Sequence, residues 1–128
     1  MLNDRFLSVL GKFLYAISVA DGKVQSKESK ILDAAIQEEI DLFAAKDDKE
    51  FAASLLIVKL SFYNGAEAGK KPSVYADEFI SFIQEHAVKL NADRKAVALR
   101  LIHKVSSAFG GVTMKEDDLV KKATTLLK

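Results

Sequence analysis

A segment of 23 residues occurs twice in this chain, and this repeat constrains the fold more than any other sequence feature. Residues 13–35 read FLYAISVADGKVQSKESKILDAA and residues 101–123 read LIHKVSSAFGGVTMKEDDLVKKA, with identical residues at seven aligned positions. Both copies place an apolar stretch before a glycine, Gly22 or Gly110, and a glutamate six residues after it. Because glycine readily adopts the left-handed conformation that ends a helix, each copy predicts a helical hairpin.

Apolar residues follow helical spacing along the whole chain. They recur at intervals of three, four and seven residues, which is the pattern of an amphipathic helix. No segment alternates between apolar and polar residues for long enough to predict a strand. The stripes predict six helices, at about 3–20, 27–44, 49–64, 73–90, 93–109 and 114–127.

Capping and helix-breaking residues separate these stripes. We expect Asp47 or Asp48 to cap the third helix and Asn64–Gly65 to end it, because short polar residues and glycine favour helix ends. Asn91 or Asp93 separates the fourth helix from the fifth in the same way.

The linkers between the predicted helices are short, which is typical of a compact helical bundle. The sequence therefore predicts a single all-α domain over residues 1–128, a bundle of about six or seven helices with an internal helical-hairpin repeat. Its core is predicted to contain Phe13, Leu14, Ile17, Ile31, Leu101, Ile102, Val105 and Leu119.

The composition excludes several classes of function. The net charge is only +1, whereas nucleic-acid-binding domains usually carry a concentrated basic excess. The absence of cysteine excludes disulfides, thiolate catalysis and cysteine-ligated metals. No apolar run reaches the roughly twenty residues of a membrane-spanning helix, and the first residues do not form a signal peptide. We therefore expect a cytoplasmic protein that does not insert into the membrane.

The first copy of the repeat contains the segment Ala16–Glu28, AISVADGKVQSKE, and the second copy contains Ala108–Glu116 with Phe109 at the position of the aspartate. These segments resemble the TerB-like family, named for a bacterial tellurite-resistance protein, whose members carry A-x-x-A-D-G-x-[IV]-x-x-x-E, often twice. The resemblance implies a single TerB-like helical domain without enzymatic activity. It also implies a role in a stress or metal-ion response, in some members beside membrane proteins.

Asp21 and Glu28 are the candidate metal ligands of this sequence. Their spacing around Gly22 matches the second half of an EF-hand loop, which ends in a bidentate glutamate. The apolar residues Ile17 and Val19 stand where the first half would supply oxygen ligands, so a complete calcium loop is excluded. Two interpretations stay open: a weaker divalent-cation site completed by carbonyls or water, and simple capping of a helix start.

We expect the two histidines and the glycine-containing segment after the third helix to have structural roles. His86 is in register with the apolar face of the fourth helix, so we expect a partly buried, hydrogen-bonded histidine. His103 is aligned with Tyr15 in the repeat, which suggests an equivalent packing role. Residues 65–71 lack the length and the Ser or Thr of a phosphate loop, and we predict an exposed interhelical loop there.

Acidic residues gather in two places, either as solvated faces or as patches that attract a cation or a partner. The first group is Glu38, Glu39, Asp41, Asp47, Asp48 and Glu50, and the second, on the fourth helix, is Asp77, Glu78 and Glu85.

These observations lead to one principal hypothesis and one alternative. The principal hypothesis is a non-enzymatic helical module that binds another protein, without a cofactor, in a bacterial stress or tellurite-type response. The alternative is a divalent-cation binding or sensing domain that uses Asp21 and Glu28. An enzyme is not expected, because the sequence contains no nucleophile–base pair or metal triad of recognisable spacing. The sequence leaves the oligomeric state open.

Overall fold

The computed structural model describes residues 2–19, 26–108 and 114–127, without the side chains of residues 2, 26–28, 108 and 114–119. The described residues contain seven α-helices, one short 3-10 helix and no strand, so the predicted all-α bundle is confirmed. The helices are α1 (Leu2–Ser18), α2 (Ser26–Ala45), α3 (Lys49–Ser54), α4 (Leu56–Ala68), α5 (Pro72–His86), the 3-10 helix Ala87–Lys89, α6 (Ala92–Ala108) and α7 (Met114–Leu127).

Helix α1 forms the centre of the bundle, with α4, α5 and α6 packed around it. A helix with neighbours on several sides must be apolar around much of its circumference. The buried side chains of α1 meet this requirement: Phe6, Leu7, Leu10, Phe13, Leu14 and Ile17.

Most of the predicted core is confirmed. The side chains of Phe13, Leu14, Ile17, Leu101, Ile102 and Val105 are all buried. Ile31 is only half-buried, because it lines an open groove between α2 and α6 instead of facing the centre of the bundle. The side chain of Leu119 lies outside the described residues.

The predicted third helix is in fact two helices, α3 and α4, which meet at Leu55. The hydroxyl of Ser54 donates to the carbonyl of Phe51 at 2.7 Å, and the Leu55 N–H is shared between the carbonyls of Phe51 and Ala52. Such tightened, shared hydrogen bonds are typical of a helix end. The apolar stripe continues across the break, so periodicity could not show it.

The predicted helix end at Asn64–Gly65 is wrong, because α4 continues to Ala68. Gly65 is buried, and its carbonyl accepts a hydrogen bond from the Tyr75 hydroxyl at 2.9 Å. The residue that ends α4 is Gly69, whose φ of 67° is the left-handed conformation that glycine favours. Only a short exposed turn therefore separates α4 from α5.

The predicted cap at the start of α3 is confirmed, and Asn91, predicted to separate two helices, caps the start of α6. The Asp48 carboxylate accepts from the Phe51 N–H at 3.3 Å at the start of α3, and the Asn91 side chain accepts from the Arg94 N–H at 3.0 Å at the start of α6. The fourth predicted helix ends earlier than expected, at His86, and continues as the 3-10 helix.

The helices of both repeat copies are described, but not the turns between them. In the second copy α6 packs against α7, as a hairpin requires, whereas in the first copy α1 packs mainly on α4 and α5, and α2 on α3 and α6, so the predicted α1–α2 hairpin is not a packed pair within the described residues. Ile17 and Val105 are both buried at aligned positions, as are Ala35 and Ala123. The turns around Gly22 and Gly110, whose similarity the repeat predicts, lie outside the described residues.

Candidate functional site

The candidate metal ligands fall where the structure gives little description. Asp21 lies outside the described residues, and so does the side chain of Glu28. The backbone places Glu28 in the first turn of α2, two residues after Ser26. Within the described part of the chain, no three histidine, aspartate or glutamate side chains come together in an arrangement that would hold a metal ion.

Three of the six residues of the first predicted acidic group, Glu38, Glu39 and Asp48, form ion pairs inside the fold. Glu39 is 3% exposed, and its carboxylate accepts from Arg100 of α6 through Nε at 3.0 Å and Nη2 at 2.5 Å. This hydrogen bond to Glu39 raises the pKa of the Arg100 guanidinium. Beside it, Glu38 pairs with Lys104. These pairs join α2 to α6 and so stabilise the bundle, whereas Asp41, Asp47 and Glu50 are exposed and form no ion pair within the described residues.

Asp48 also has a structural role, together with Arg94. The Arg94 guanidinium lies 3.7 Å from the centre of the Phe51 ring, and its Nη1 lies 3.7 Å from the Asp48 carboxylate. The arginine thus connects the start of α6 to the start of α3. Its Nε is buried without a hydrogen-bond partner in the described part of the chain, and Arg94 lines a cavity of about 310 Å³ together with Asp4 and Glu50.

The second acidic group lines a groove between α1 and α5, which we call the α1–α5 groove. Its volume is about 530 Å³. The side chains along it belong to successive turns of the two helices: Arg5, Val9, Val74, Asp77, Glu78, Ser81, Phe82 and Glu85. Because residues three and four apart share one face of a helix, the α5 positions form a continuous strip.

The charges of the α1–α5 groove are exposed and mostly unpaired. Asp77 and Glu78 make no hydrogen bond or ion pair within the described residues, and Glu85 lies 3.7 Å from the His86 imidazole. The single cation, Arg5, lies 5.6 Å above the Phe82 ring. Three carboxylates and one guanidinium therefore give the lining a net charge of −2, although the whole chain carries +1.

The two histidines differ from each other in environment. His86 is partly buried, as predicted, and packs against the Phe82 ring with centroids 4.5 Å apart. Its Nε2 has no hydrogen-bond partner among the described residues, so the predicted hydrogen bond is not found at this atom. His103 is exposed beside the α2–α6 pairs, whereas Tyr15 packs against Phe62 and Tyr75, so the predicted equivalence of the two residues is wrong.

A second groove, between α2 and α6, has a volume of about 400 Å³ and is less charged. It is lined by Ile31, Ala34, Ala35, Glu38, His103, Lys104 and Ser107. Its two charged residues neutralise each other, since Glu38 pairs with Lys104.

The sequence identified the acidic residues of α5 but not the apolar part of their site. Val74 and Phe82 follow the same spacing as the acidic residues, so the predicted helix already places them on the same face. The contribution of Arg5 and Val9 depends on α1 lying beside α5, which no local pattern encodes.

Comparison with known proteins gave no relatives: no protein-family model, curated protein or solved structure matches this chain. None of the described helices is long and apolar enough to cross a membrane.

Proposed function

We propose that this protein is a non-enzymatic interaction module that binds another protein through the α1–α5 groove. The observation that carries the proposal is the convergence of three exposed carboxylates, those of Asp77, Glu78 and Glu85, on one open groove with apolar side chains. Of these, Val74 is exposed, Val9 is half-buried and Phe82 forms the buried floor. Apolar contacts supply binding energy in such a surface, and unpaired charges at its rim select the partner.

The surrounding structure supports binding by a preformed surface. Helices α1 and α5 are fixed against each other by buried rings, with Phe13 and Phe79 stacked at 4.5 Å and Phe6 lying 6.3 Å from Phe79. A rigid groove loses little conformational entropy when a partner binds.

The resemblance to the TerB-like family supports a place for this module in a bacterial stress or tellurite-type response. The function is then to join proteins of a cytoplasmic assembly, including one that sits beside the membrane. In this role the domain needs no cofactor.

Site-specific photo-crosslinking in the cells that produce the protein tests the binding surface. A photoreactive residue at Ser81, which is exposed in the groove, should give a discrete adduct, and the same residue at the exposed Asn64 of α4 should not. Val74→Asp should abolish the Ser81 adduct, because it adds a charge to the apolar part of the groove. Equal labelling at both positions, or no adduct at either, would contradict the proposal.

Gene deletion tests the physiological setting. Loss of the protein should lower growth in tellurite, and the wild-type gene should restore it while the Val74→Asp variant does not. Unchanged growth of the deletion strain would remove the stress-response part of the proposal and leave the binding surface untouched.

A further inference from the structure

We infer that the partner of the α1–α5 groove presents a basic amphipathic helix, with lysine or arginine on one side and apolar residues beside them. This inference rests on the proposed function and adds the chemistry of the partner.

The first argument is charge complementarity. Asp77 and Glu78 lie exposed on adjacent positions of α5 without a cation from the described part of the chain. Two neighbouring carboxylates that repel each other gain more from an incoming cation than carboxylates already in ion pairs, such as Glu38 and Glu39. The negative charge of this groove therefore selects a basic partner and repels nucleic acids and anionic membranes.

The second argument is the apolar surface between the charges. Val74 is 39% exposed, and it stands one turn before the two carboxylates. The Phe82 ring is buried at the floor of the groove under the guanidinium of Arg5, so the exposed apolar surface for a partner is that of Val74. A partner with only basic residues would leave Val74 exposed, whereas an amphipathic partner covers it.

The third argument is shape. The strip on α5 runs from Val74 to Glu85, which at the rise of a helix is about 17 Å, or three turns. Its side chains recur at intervals of three and four residues, and the same spacing on a partner helix would bring its basic and apolar residues into register. A helix of about fourteen residues is long enough to occupy the groove.

Binding of designed peptides to the full chain tests this inference. The probe is a fluorescent amphipathic helix of lysine and leucine, and the comparison peptide carries glutamate at each lysine position. We expect the lysine peptide to bind and the glutamate peptide not to bind. The double variant Asp77→Lys/Glu78→Lys should weaken binding of the lysine peptide about tenfold, and that loss should shrink in high salt. Arg5→Ala should strengthen binding, because it removes the only cation of the lining.

A matched control separates site binding from general charge attraction. The variant Asp41→Lys/Glu67→Lys has the same net charge, but both residues are exposed on other helices, α2 and α4. It should bind the lysine peptide within about twofold of the wild type. Equal weakening in both double variants, or binding of both peptides, would overturn the inference.

Failure of this inference about the partner can be distinguished from failure of the proposed binding surface. A discrete Ser81 adduct in cells, combined with no binding of the lysine peptide, would reject a basic helical partner while the binding surface stands. Absence of the Ser81 adduct together with absence of peptide binding would reject the binding surface and the basic helical partner alike. Anionic vesicles serve as a further probe, and their binding through this groove would also overturn the assigned chemistry.

Discussion

Single residues show that some carboxylates of this chain are engaged within the fold and that others are left exposed. Glu38, Glu39 and Asp48 are all engaged by cations of α6, whereas Asp77 and Glu78 face solvent without such partners. The sequence predicted both acidic groups and left their roles open. It could not separate them, because the cations that engage the first group are 46 to 66 residues away in the chain.

The Glu39–Arg100 pair gives the first stability prediction. Arg100→Ala leaves a carboxylate that is 3% exposed without its partner, which should lower the free energy of unfolding by about 2 kcal/mol, less than for a fully buried pair because Arg100 is half-exposed. Chemical denaturation measures the change. The matched variant Lys104→Ala removes the more exposed pair and should cost less than about 1 kcal/mol. Equal losses of unfolding free energy in the two variants would show that burial of Glu39 does not make its ion pair more stabilising than the exposed one.

The direction of the Arg100 pKa shift also predicts a pH dependence. A cation whose pKa is raised by folding stabilises the protein fully below its unfolded pKa, and this contribution is lost only as the pH rises through the raised value. The stability difference between wild type and Arg100→Ala should therefore stay constant between about pH 6 and pH 9, since arginine titrates above about pH 12. Denaturation at several pH values checks this, and a rise or fall of the difference would contradict it.

Asp21 and Glu28 are the residues for which capping and cation binding make opposite predictions. Two carboxylates supply too few ligands for calcium or magnesium, so we expect the metal-free protein to be fully folded and millimolar cation to raise its Tm little. Calorimetry of the wild type, Asp21→Asn and Glu28→Gln with and without cation measures this. A large cation-dependent stabilisation that both variants lose would favour the cation-sensing alternative.

At the scale of the helices, the sequence predicted which segments are helical better than it predicted where each helix ends. The apolar stripes of α1 and α6 predicted most of the core, because burial requires that spacing in any helix. The break at Leu55 and the end of α4 at Gly69 were missed. The first depends on the hydrogen bond of Ser54 and the second on the left-handed conformation of Gly69, and a stripe of apolar residues encodes neither.

Gly11 shows how closely α1 and α4 approach. A Cβ at this position would lie 2.4 Å from the Val58 carbonyl oxygen and 2.8 Å from the Ser61 Cβ. Alanine normally stabilises a helix interior relative to glycine, but here Gly11→Ala should destabilise by about 2 kcal/mol because α4 must move. Gly65→Ala is the control, since its Cβ would meet no atom closer than 3.5 Å. Thermal unfolding should give opposite signs for the two variants, and a stabilised Gly11→Ala would refute the close approach.

On the scale of the whole molecule, the α1–α5 groove is acidic although the chain is nearly neutral. A charge cluster without internal partners adds nothing to folding and is slightly unfavourable through self-repulsion. Stability and recognition should therefore respond in opposite directions when these charges are removed.

The variant Asp77→Asn/Glu78→Gln tests this opposition directly. Because neither carboxylate is paired within the described residues, neutralising both should leave the free energy of unfolding unchanged or raise it, by no more than about 0.5 kcal/mol at pH 7. Salt should reduce any gain, since it already screens the repulsion in the wild type. The same variant should bind the lysine–leucine peptide more weakly. Parallel measurement of Tm and peptide affinity decides the matter: a destabilised variant would mean that the two carboxylates serve the fold, and their assignment to a partner would fail.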